Sequence, residues 1–478
     1  MFHILYCKSN VSQIYTTFFI QTTLHNIFTE SLLKLLSLKI IALYLLHKKP
    51  SQAGQTGLRT KNNYTMKKVL FFMLAISMSF SMQTGATGKT NQPEAANELQ
   101  SKKKSKETIN WNEIADGMTQ ALIKHFWGAN FEGYPNRYYF NYESDLSNMT
   151  TNHYWPQAHA MDVIVDAYKR TSEKQYLNLY PLWWKGAPEF NFSGKEIDPW
   201  WNEFVDDMEW IALAQLRMYE TTQREEYFLK AKQLYNDWIW STWGPEKEEP
   251  WKGGITWKTD VSKSKNACSN GPAAIIAARI YAMYDEIIDP GKKPKRAYLR
   301  EATKIYAWLR DNLYNSETGK VSDNMNREGK ISPAVYTYNQ GTFIGAAYEL
   351  YKITGEKQYM EEAIKAANYV IDHMSTNNGV LTDASSGDGG LFHGIFFRYF
   401  VKIINDQDLD YNTRKKFHDY ITLCATVMVE NGINKESMLY GGKWWSAPTS
   451  TKGVCLTPHL SGCMLIEAMC ILEPLPKK

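Results

Sequence analysis

Apolar and polar positions recur with the period of an α-helix from Trp111 to near the end of the chain, and strand-like alternation is almost absent. Two kinds of helical segment can be distinguished by their polar faces. One kind is amphipathic and carries charges along its outer side. The other is poor in charge and apolar around most of its circumference, which is typical of a helix buried on both sides. The pattern therefore predicts outer and inner helices that alternate along the chain.

Six apolar segments are predicted as inner helices: 153–168, 204–219, 269–284, 339–351, 392–404 and 459–471. Six charged segments are predicted as outer helices: 111–127, 176–184, 225–240, 296–314, 358–374 and 413–431. A similar short sequence pattern recurs around Tyr176, Tyr227, Tyr298 and Tyr359. Such approximate repetition is typical of helix-pair architectures. We therefore predict one all-α domain, an (α/α)6 toroid. A superhelical solenoid is the alternative, but solenoids rarely make one class of helix this apolar.

The amino ends of the inner helices carry unusual polar and aromatic residues. In a toroid with alternating helices these ends all lie together, so we expect the following side chains to converge on one mouth: His153, Tyr154, Trp155, His159, Asp206, Asp207, Asn270, Tyr338, Asn339, Gln340, His393 and His459. Pro156, Pro272 and Pro458 fall near first-turn positions, where proline is tolerated. Asn270 and Asn339 are predicted to cap their helices.

The beginning of the chain has the pattern of an export signal. Met66 and two lysines precede a twelve-residue apolar run and then small residues, which is typical of a secretory signal peptide. Twelve residues are too few to span a bilayer, which needs about 20. The predicted organisation is 1–65 as an upstream start-site extension, 66–86 as signal peptide, 87–108 as polar linker and 109–478 as the toroid domain. An anchor through 35–46 is the alternative, but that run contains Lys39. We expect a bacterial protein exported to the periplasm or the cell exterior.

The charge is unevenly distributed. Residues 1–86 contain nine basic residues and one acid, which leaves 45 basic and 49 acidic residues from 87 onward, a net charge of −4. Such a body has no electrostatic reason to bind nucleic acid or an anionic membrane. The cysteines are too scattered for a disulfide framework or a metal-binding pair. We predict no cofactor, no nucleic-acid partner, no membrane insertion of the mature chain and a monomer.

Two adjacent aspartates, Asp206 and Asp207, begin an apolar helix a few residues after Trp200 and Trp201. Neighbouring carboxylates repel each other, so one tends to stay protonated while the other ionises. Cleavage of a glycosidic bond requires that division between a proton donor and a carboxylate that attacks or stabilises the sugar cation. Aspartates are also common at helix starts simply because the helix dipole stabilises them. We favour catalysis because this helix is buried and begins at the predicted mouth.

Aromatic residues make up 14% of the chain, with 16 Trp and 30 Tyr, and flat aromatic faces either fill cores or stack on sugar rings. Tryptophan pairs are core residues about as often as binding platforms. We prefer Trp200-Trp201 as a platform because the pair adjoins the aspartates, and the Gly253-Gly254 loop is expected to bring Trp257 to the mouth. The predicted substrate-binding residues are Trp155, His159, Trp200, Trp201, Trp257, Asn270, Tyr338, Asn339 and Gln340.

Four ordered motifs resemble those of glycoside hydrolase family 76, the endo-α-1,6-mannanases. They are Phe204-Val-Asp-Asp-Met-Glu-Trp210, Lys265-Asn-Ala-Cys-Ser-Asn-Gly-Pro272, Tyr336-Thr-Tyr-Asn-Gln-Gly341 and Phe392-His-Gly-Ile-Phe-Phe-Arg398. The resemblance extends over about residues 110–472. It implies an (α/α)6 barrel that cleaves α-1,6-mannan backbones with retention of configuration and without a metal. It also implies that Asp206 is the nucleophile and Asp207 the general acid/base. Fungal members are regarded as transglycosidases, so the match leaves hydrolysis and transfer both open.

Two other functions remain as alternatives. One is a different glycan-active enzyme on the same fold, an inverting hydrolase or a lyase, although a lyase acting on uronic acids would need a more basic mouth. The other is a non-catalytic helical glycan-binding protein, but such proteins are usually lipid-anchored, and the first cysteine after the apolar run at 69–80 is the distant Cys268. A binding protein also has no need of adjacent aspartates.

Overall fold

The computed structural model describes residues 109–128, 137, 139–141, 154–191, 193, 198–244, 251–260, 264–284 and 293–476. The predicted extension, signal peptide and linker, together with His153, lie outside these residues. Among the helices of the described residues, none is both long enough and apolar enough to cross a membrane.

In the described part of the chain, six helices form an inner ring: α2 (Tyr154–Thr171), α6 (Val205–Thr222), α8 (Ala267–Met283), α10 (Thr337–Thr354), α12 (Phe392–Ile404) and α14 (Leu456–Ile471). The outer layer contains α1 (Trp111–Phe126), the short α3 (Lys174–Leu177), α4 (Leu179–Lys185) and α5 (Ala187–Phe190), then α7 (Glu225–Gln233), α9 (Lys295–Leu313), α11 (Lys357–His373) and α13 (Tyr411–Val427). Helix α7 continues through Leu234–Ile239 and Trp240–Thr242, and α13 through Met428–Gly432. A small hairpin pairs β1 (Ser264–Asn266) with β2 (Asn324–Asn326).

The inner helices close into a ring. Helix α2 packs on α6, and the contacts continue through α8, α10, α12 and α14, which returns to α2. The outer helices α7, α9 and α11 each pack on the inner helix before them, while α1 covers α14. This arrangement confirms the predicted (α/α)6 toroid, and every inner helix begins and ends within three residues of its predicted bounds. The predicted outer helix at 176–184 is divided in the structure, because α3 ends at Leu177 and α4 begins at Leu179.

Glycines allow the inner helices to approach one another closely. A Cβ atom added at Gly341 on α10 would lie 2.7 Å from the Cα atom of Phe396 on α12. A Cβ atom at Gly394 on α12 would lie 2.6 Å from the Cα atom of Ser461 on α14. Because the obstructing atoms belong to backbone, no side-chain adjustment can make room, so residues without a Cβ are required at these crossings.

Two predicted helix caps are wrong. Helix α8 begins at Ala267, so Asn270 and Pro272 lie inside it, and Asn266 is the capping residue. Helix α10 begins at Thr337 with Tyr336 before it, so Asn339 is also inside its helix. The early start of α8 follows from the hairpin, because β1 leads directly into the helix and the Ala267 N–H donates to the Asp323 carbonyl at 2.8 Å.

The carboxyl ends of the inner helices surround a cavity of about 600 Å³ that is lined mainly by charged side chains. Arg217 on α6 binds Asp162 at 2.6 Å and also pairs with Asp166. Arg170 on α2 binds Glu467 on α14 at 3.1 Å. Further pairs join Arg279 and Lys402 to Glu349, and Arg398 to Asp166. Cations near helix carboxyl ends also compensate the helix dipole, so this end of the toroid is stabilised by charge pairing.

The pKa values of the acids at this end reflect the pairing. Burial raises the pKa of Glu349, but Lys402 and Arg279 more than offset it and hold that pKa at about 2. Burial acts in the same way on Asp162, and Arg217 with Arg398 brings its pKa below the usual range. These carboxylates therefore stay ionised inside the protein only because their arginine and lysine partners are present.

We expect Arg217→Met to lower the free energy of unfolding by about 3–5 kcal/mol, because it leaves two partly desolvated aspartates without their common partner. Arg224→Met is the matched control, since Arg224 is exposed and its pair with Glu226 is on the surface. Urea unfolding at pH 7 followed by circular dichroism measures both. Equal, small effects of the two substitutions would contradict the structural role of the buried pair.

Candidate active site

The two aspartates lie at the amino end of α6, where Asp206 and Asp207 are its second and third residues. The residue before the helix is Phe204, which has no side-chain cap to offer, so the first-turn N–H groups remain available to the carboxylates. Both aspartates are partly exposed at the base of the mouth. Enough protein nevertheless surrounds them for burial to be the largest influence on the pKa of each.

The surroundings raise the two pKa values unequally. Burial raises the pKa of Asp207 well above its ordinary value, and the charges of Asp206 and Asp388 raise it further. Burial also raises the pKa of Asp206, but hydrogen bonds from the Cys268 thiol and from the N–H groups of Asp206 and Asp207 act in the opposite direction. The hydrogen bond from Cys268 therefore favours the negative charge on Asp206 rather than on Asp207.

Aromatic side chains from three other inner helices surround the pair. Tyr338 on α10 stacks on Phe392 of α12 with a centroid distance of 4.1 Å and an interplanar angle of 5°. Phe392 lies 6.5 Å from Trp155 of α2, which in turn lies 6.2 Å from Trp210 on α6. The amino ends of α2, α6, α10 and α12 thus meet in one aromatic-lined mouth, as the alternation of inner and outer helices predicts.

A further carboxylate, Asp388, stands in the Gly387–Gly390 turn before α12. The Trp155 indole N–H donates to its Oδ1 atom at 3.0 Å. Its charge raises the pKa of both Asp206 and Asp207. Asp388 is exposed, so it can meet the hydroxyl groups of a sugar while Trp155 holds it in place.

The loop of residues 251–260 forms another part of the rim. The Val205 N–H donates to the Trp257 carbonyl at 2.9 Å, which ties the loop to the start of α6. The rings of Trp257 and Phe204 lie 5.0 Å apart. Asn270 accepts from the Ile255 N–H at 2.8 Å and donates to the Ile255 carbonyl at 3.0 Å. Asn270 therefore positions this loop from inside the protein.

Several predicted sugar contacts lie behind the surface of the mouth. Asn270, Asn339 and Gln340 have no exposed surface, and His159 is 2% exposed beneath Trp155. Asn339 donates to Asp323 Oδ1 at 2.8 Å, and Gln340 donates to a backbone carbonyl at 3.3 Å. These four residues support the groups that form the surface and have no face for a sugar to touch in this structure.

One tryptophan of the predicted platform is a core residue and the other is partly exposed. Trp200 is 4% exposed and packs with Trp183 and Trp184 at centroid distances of 5.5 and 5.0 Å, so it is a core residue. Trp201 is partly exposed and lies 6.3 Å from Trp238. The partly exposed Trp201, Trp257 and Tyr338, with the edge of Trp155, are the predicted aromatic contacts that the structure leaves available.

The two other histidines of the predicted mouth are structural. His393 bridges the Thr337 hydroxyl and the Thr382 carbonyl, both at 2.9 Å. His459 is fully buried and its two ring nitrogens bond the Tyr440 N–H and the Met118 carbonyl. Each therefore fixes neighbouring backbone or side-chain groups, which is the more common use of a lone histidine.

Three residues of the mouth are not among those predicted from the sequence. Cys268 and Phe392 lie inside motifs that carry the family resemblance, and Asp388 lies in a glycine-rich turn outside those motifs. The available signal was position. Each of the three falls at the amino end of an inner helix, as the aspartate pair does.

A buried acid lies one helical turn behind the pair. Glu209 on α6 is fully buried, and neither of its carboxyl oxygens has a hydrogen-bond partner among the described residues. Burial raises the pKa of Glu209 well above its ordinary value, and the charge of Asp206 adds to this effect. A protonated Glu209 places no third negative charge on the helix beside the two aspartates.

This protonation makes stability depend on pH. The folded protein keeps a proton that the unfolded chain releases above pH 4.5, so the contribution of Glu209 to stability is complete below that pH and is lost as the pH rises. We expect Glu209→Gln, which cannot titrate, to gain stability relative to wild type by up to about 3 kcal/mol between pH 4.5 and 7.

Urea unfolding of both proteins across this pH range measures the difference. Glu225→Gln is the matched control, because Glu225 is exposed at the start of α7. A difference in stability between the Glu209→Gln variant and wild type that stays constant with pH would show that Glu209 is ionised in the folded protein.

Comparison with known proteins gives consistent relatives. The sequence profile of glycosyl hydrolase family 76 matches residues 110–477. The GH76A α-1,6-mannanase of Salegentibacter sp. HEL1_6 is 34% identical, covering 76% of this chain and 100% of that chain, with a TM-score of 0.67. The Lin0763 protein of Listeria innocua is 28% identical, covering 75% of this chain and 97% of that chain, with a TM-score of 0.64.

A second Salegentibacter structure is an inactive variant of the mannanase in complex with α-1,6-mannotetraose. Two consecutive aspartates are replaced by alanine in it; the identity is 34%, the coverage 76% of this chain and 100% of that chain, and the TM-score 0.66. No curated protein matches the chain. The family match covers most of the chain and confirms the resemblance seen in its motifs. The chain therefore belongs to glycosyl hydrolase family 76 and is a glycoside hydrolase.

Proposed function

We propose that this glycoside hydrolase cleaves α-1,6-mannosidic linkages within mannan backbones and retains the anomeric configuration. The observation that carries the proposal is the pair of adjacent carboxyl groups at the base of the mouth, where Cys268 donates to Asp206 while burial and the charge of Asp206 raise the pKa of Asp207. A retaining glycosidase requires one carboxylate and one carboxylic acid at the scissile bond. Asp206 is accordingly the nucleophile and Asp207 the general acid/base.

In the first step, a carboxylate oxygen of Asp206 forms a bond to C1 of the mannose on the non-reducing side of the cleaved linkage. The bond from C1 to the glycosidic oxygen breaks, and Asp207 gives its proton to that oxygen, so the reducing-side mannan leaves as an alcohol. Asp207 becomes a carboxylate at the moment when Asp206 loses its negative charge. The contribution of the Asp206 charge to the raised pKa of Asp207, which adds to that of burial, is thereby removed.

In the second step, water attacks C1 while Asp207 takes a proton from it, and the bond from C1 to Asp206 breaks. The enzyme returns to its starting protonation state. Each displacement inverts C1, so the released mannose end has the α configuration of the substrate. Water is the acceptor in this proposal, and an incoming sugar hydroxyl in its place would give transglycosylation.

The choice of substrate rests on relatives and on the rim. The Salegentibacter enzyme is an α-1,6-mannanase whose inactive variant binds α-1,6-mannotetraose, and this chain covers its full length. The partly exposed rings of Trp201, Trp257, Tyr338 and Phe392 offer apolar faces of the kind on which sugars stack. We propose cleavage within the mannan backbone because the ligand of the Salegentibacter variant is four mannose units long. An enzyme that removed only terminal residues would have no need to hold so long a ligand.

We further propose that the mature protein is exported by the 66–86 segment and acts as a monomer on external mannan. The basic start, the apolar run and the small residues of that segment support export.

The test is azide rescue of Asp206→Ala and Asp207→Ala on an aryl α-glycoside of α-1,6-mannobiose. Each variant is expected to lose at least about 1,000-fold in kcat on unbranched α-1,6-mannan, since each removes a group that acts in the transition state. Azide should enter the space left at Asp206 and give the β-mannosyl azide. In the Asp207 variant it should attack the covalent intermediate and give the α-mannosyl azide.

Asp237→Asn is the control, because Asp237 is exposed on the outer layer; it should keep wild-type activity. Azides of exchanged configuration would exchange the two assigned roles. Near-wild-type activity of either alanine variant would remove that aspartate from the mechanism.

A further inference from the structure

The thiol of Cys268 lies beside Asp206, the nucleophile of the proposed function. Cys268 is the second residue of α8, is 1% exposed, and places its Sγ atom 3.3 Å from Oδ2 of Asp206. We propose that Cys268 is a positioning residue whose S–H group donates to the Asp206 carboxylate and holds it ionised and oriented for attack on C1. This inference rests on the proposed function and adds a group that does not itself touch the sugar.

The chemistry of the two groups sets the direction of this hydrogen bond. An ionised carboxylate has no hydrogen to donate, so the Cys268 thiol is the donor and Oδ2 of Asp206 is the acceptor.

Cys268 is suited to be a donor and unsuited to be a nucleophile. Burial raises the pKa of its thiol well above the ordinary value, and the charges of Asp206 and Asp323 raise it further. The sulfur therefore stays protonated. A reactive cysteine has the opposite surroundings, electropositive and partly open to solvent.

A hydrogen bond to the ionised form of an acid favours that form. Asp206 needs such support because its partial burial favours the neutral acid, and its Oδ1 atom has no hydrogen-bond partner among the described residues. The charged or titratable groups around Asp206 are Asp207, Glu209, Cys268, Tyr338 and Asp388. The three acids in that set oppose ionisation of Asp206 when charged, so the thiol and the helix amino end are what favour it.

The test compares Cys268→Ala with Cys268→Ser by the pH dependence of kcat/KM on unbranched α-1,6-mannan. The acidic limb reports the ionisation of the nucleophile in the free enzyme. Loss of the donor in the alanine variant should raise the pKa of that limb by about 0.5–1 unit and lower kcat by about tenfold. The serine hydroxyl restores a donor and should return the limb to within about 0.3 unit of wild type.

Cys424→Ala is the matched control. Cys424 is a fully buried thiol on the outer helix α13 and lies away from the mouth. Its substitution should leave the acidic limb in place, and thermal unfolding at pH 7 shows whether each variant is folded.

An acidic limb that does not move in Cys268→Ala, or that moves equally in Cys424→Ala, overturns the positioning role. So does a serine variant that behaves as the alanine variant does. Failure of the underlying function is distinguished by Asp206→Ala: if that variant keeps its activity, Asp206 is not the nucleophile whatever Cys268 does. If it is inactive while the limb is unmoved, the function stands and the role of the thiol is refuted.

Discussion

The proposed chemistry of this toroid depends on two adjacent carboxyl groups that lie where neither is fully solvated. Burial raises the pKa of both, and the charge of Asp206 raises the pKa of Asp207 further. The amino end of α6 and the Cys268 thiol favour one negative charge, and they favour it on Asp206. In the proposed mechanism the proton is then on Asp207. One short segment of helix would thus supply both the carboxylate and the carboxylic acid that the proposed retaining cleavage requires.

The toroid separates chemistry from charge compensation. All inner helices have their amino ends at the mouth, where the dipoles favour negative charge and where Asp206, Asp207 and Asp388 are found. Their carboxyl ends carry arginines and lysines that pair with acids around the 600 Å³ cavity. Arg217 on α6 is about 16 Å along the helix from Asp206. The same helices can therefore be rigid at one end and present partly desolvated acids at the other.

The sequence predicted the architecture well because helical period reports which face of a segment is buried. It located the aspartates for the same reason, since an acidic pair at the start of an apolar helix is conspicuous. The sequence did not reveal how deeply each side chain is buried or which side chains contact residues distant in the chain. Trp200 packs into the core although it adjoins the aspartates, and Asn270 is committed to a loop fifteen residues away. Asp388 is fixed by Trp155, 233 residues earlier, a contact that no local pattern contains.

The configuration of the first products from unbranched α-1,6-mannan tests the two-step mechanism most directly. Proton NMR within minutes records this configuration before mutarotation equilibrates the anomers. Two displacements through Asp206 require the new reducing ends to appear first as the α-anomer. Initial appearance of the β-anomer would mean a single displacement by water. In that case Asp206 could not be a nucleophile, and the base would have to be sought elsewhere in the mouth.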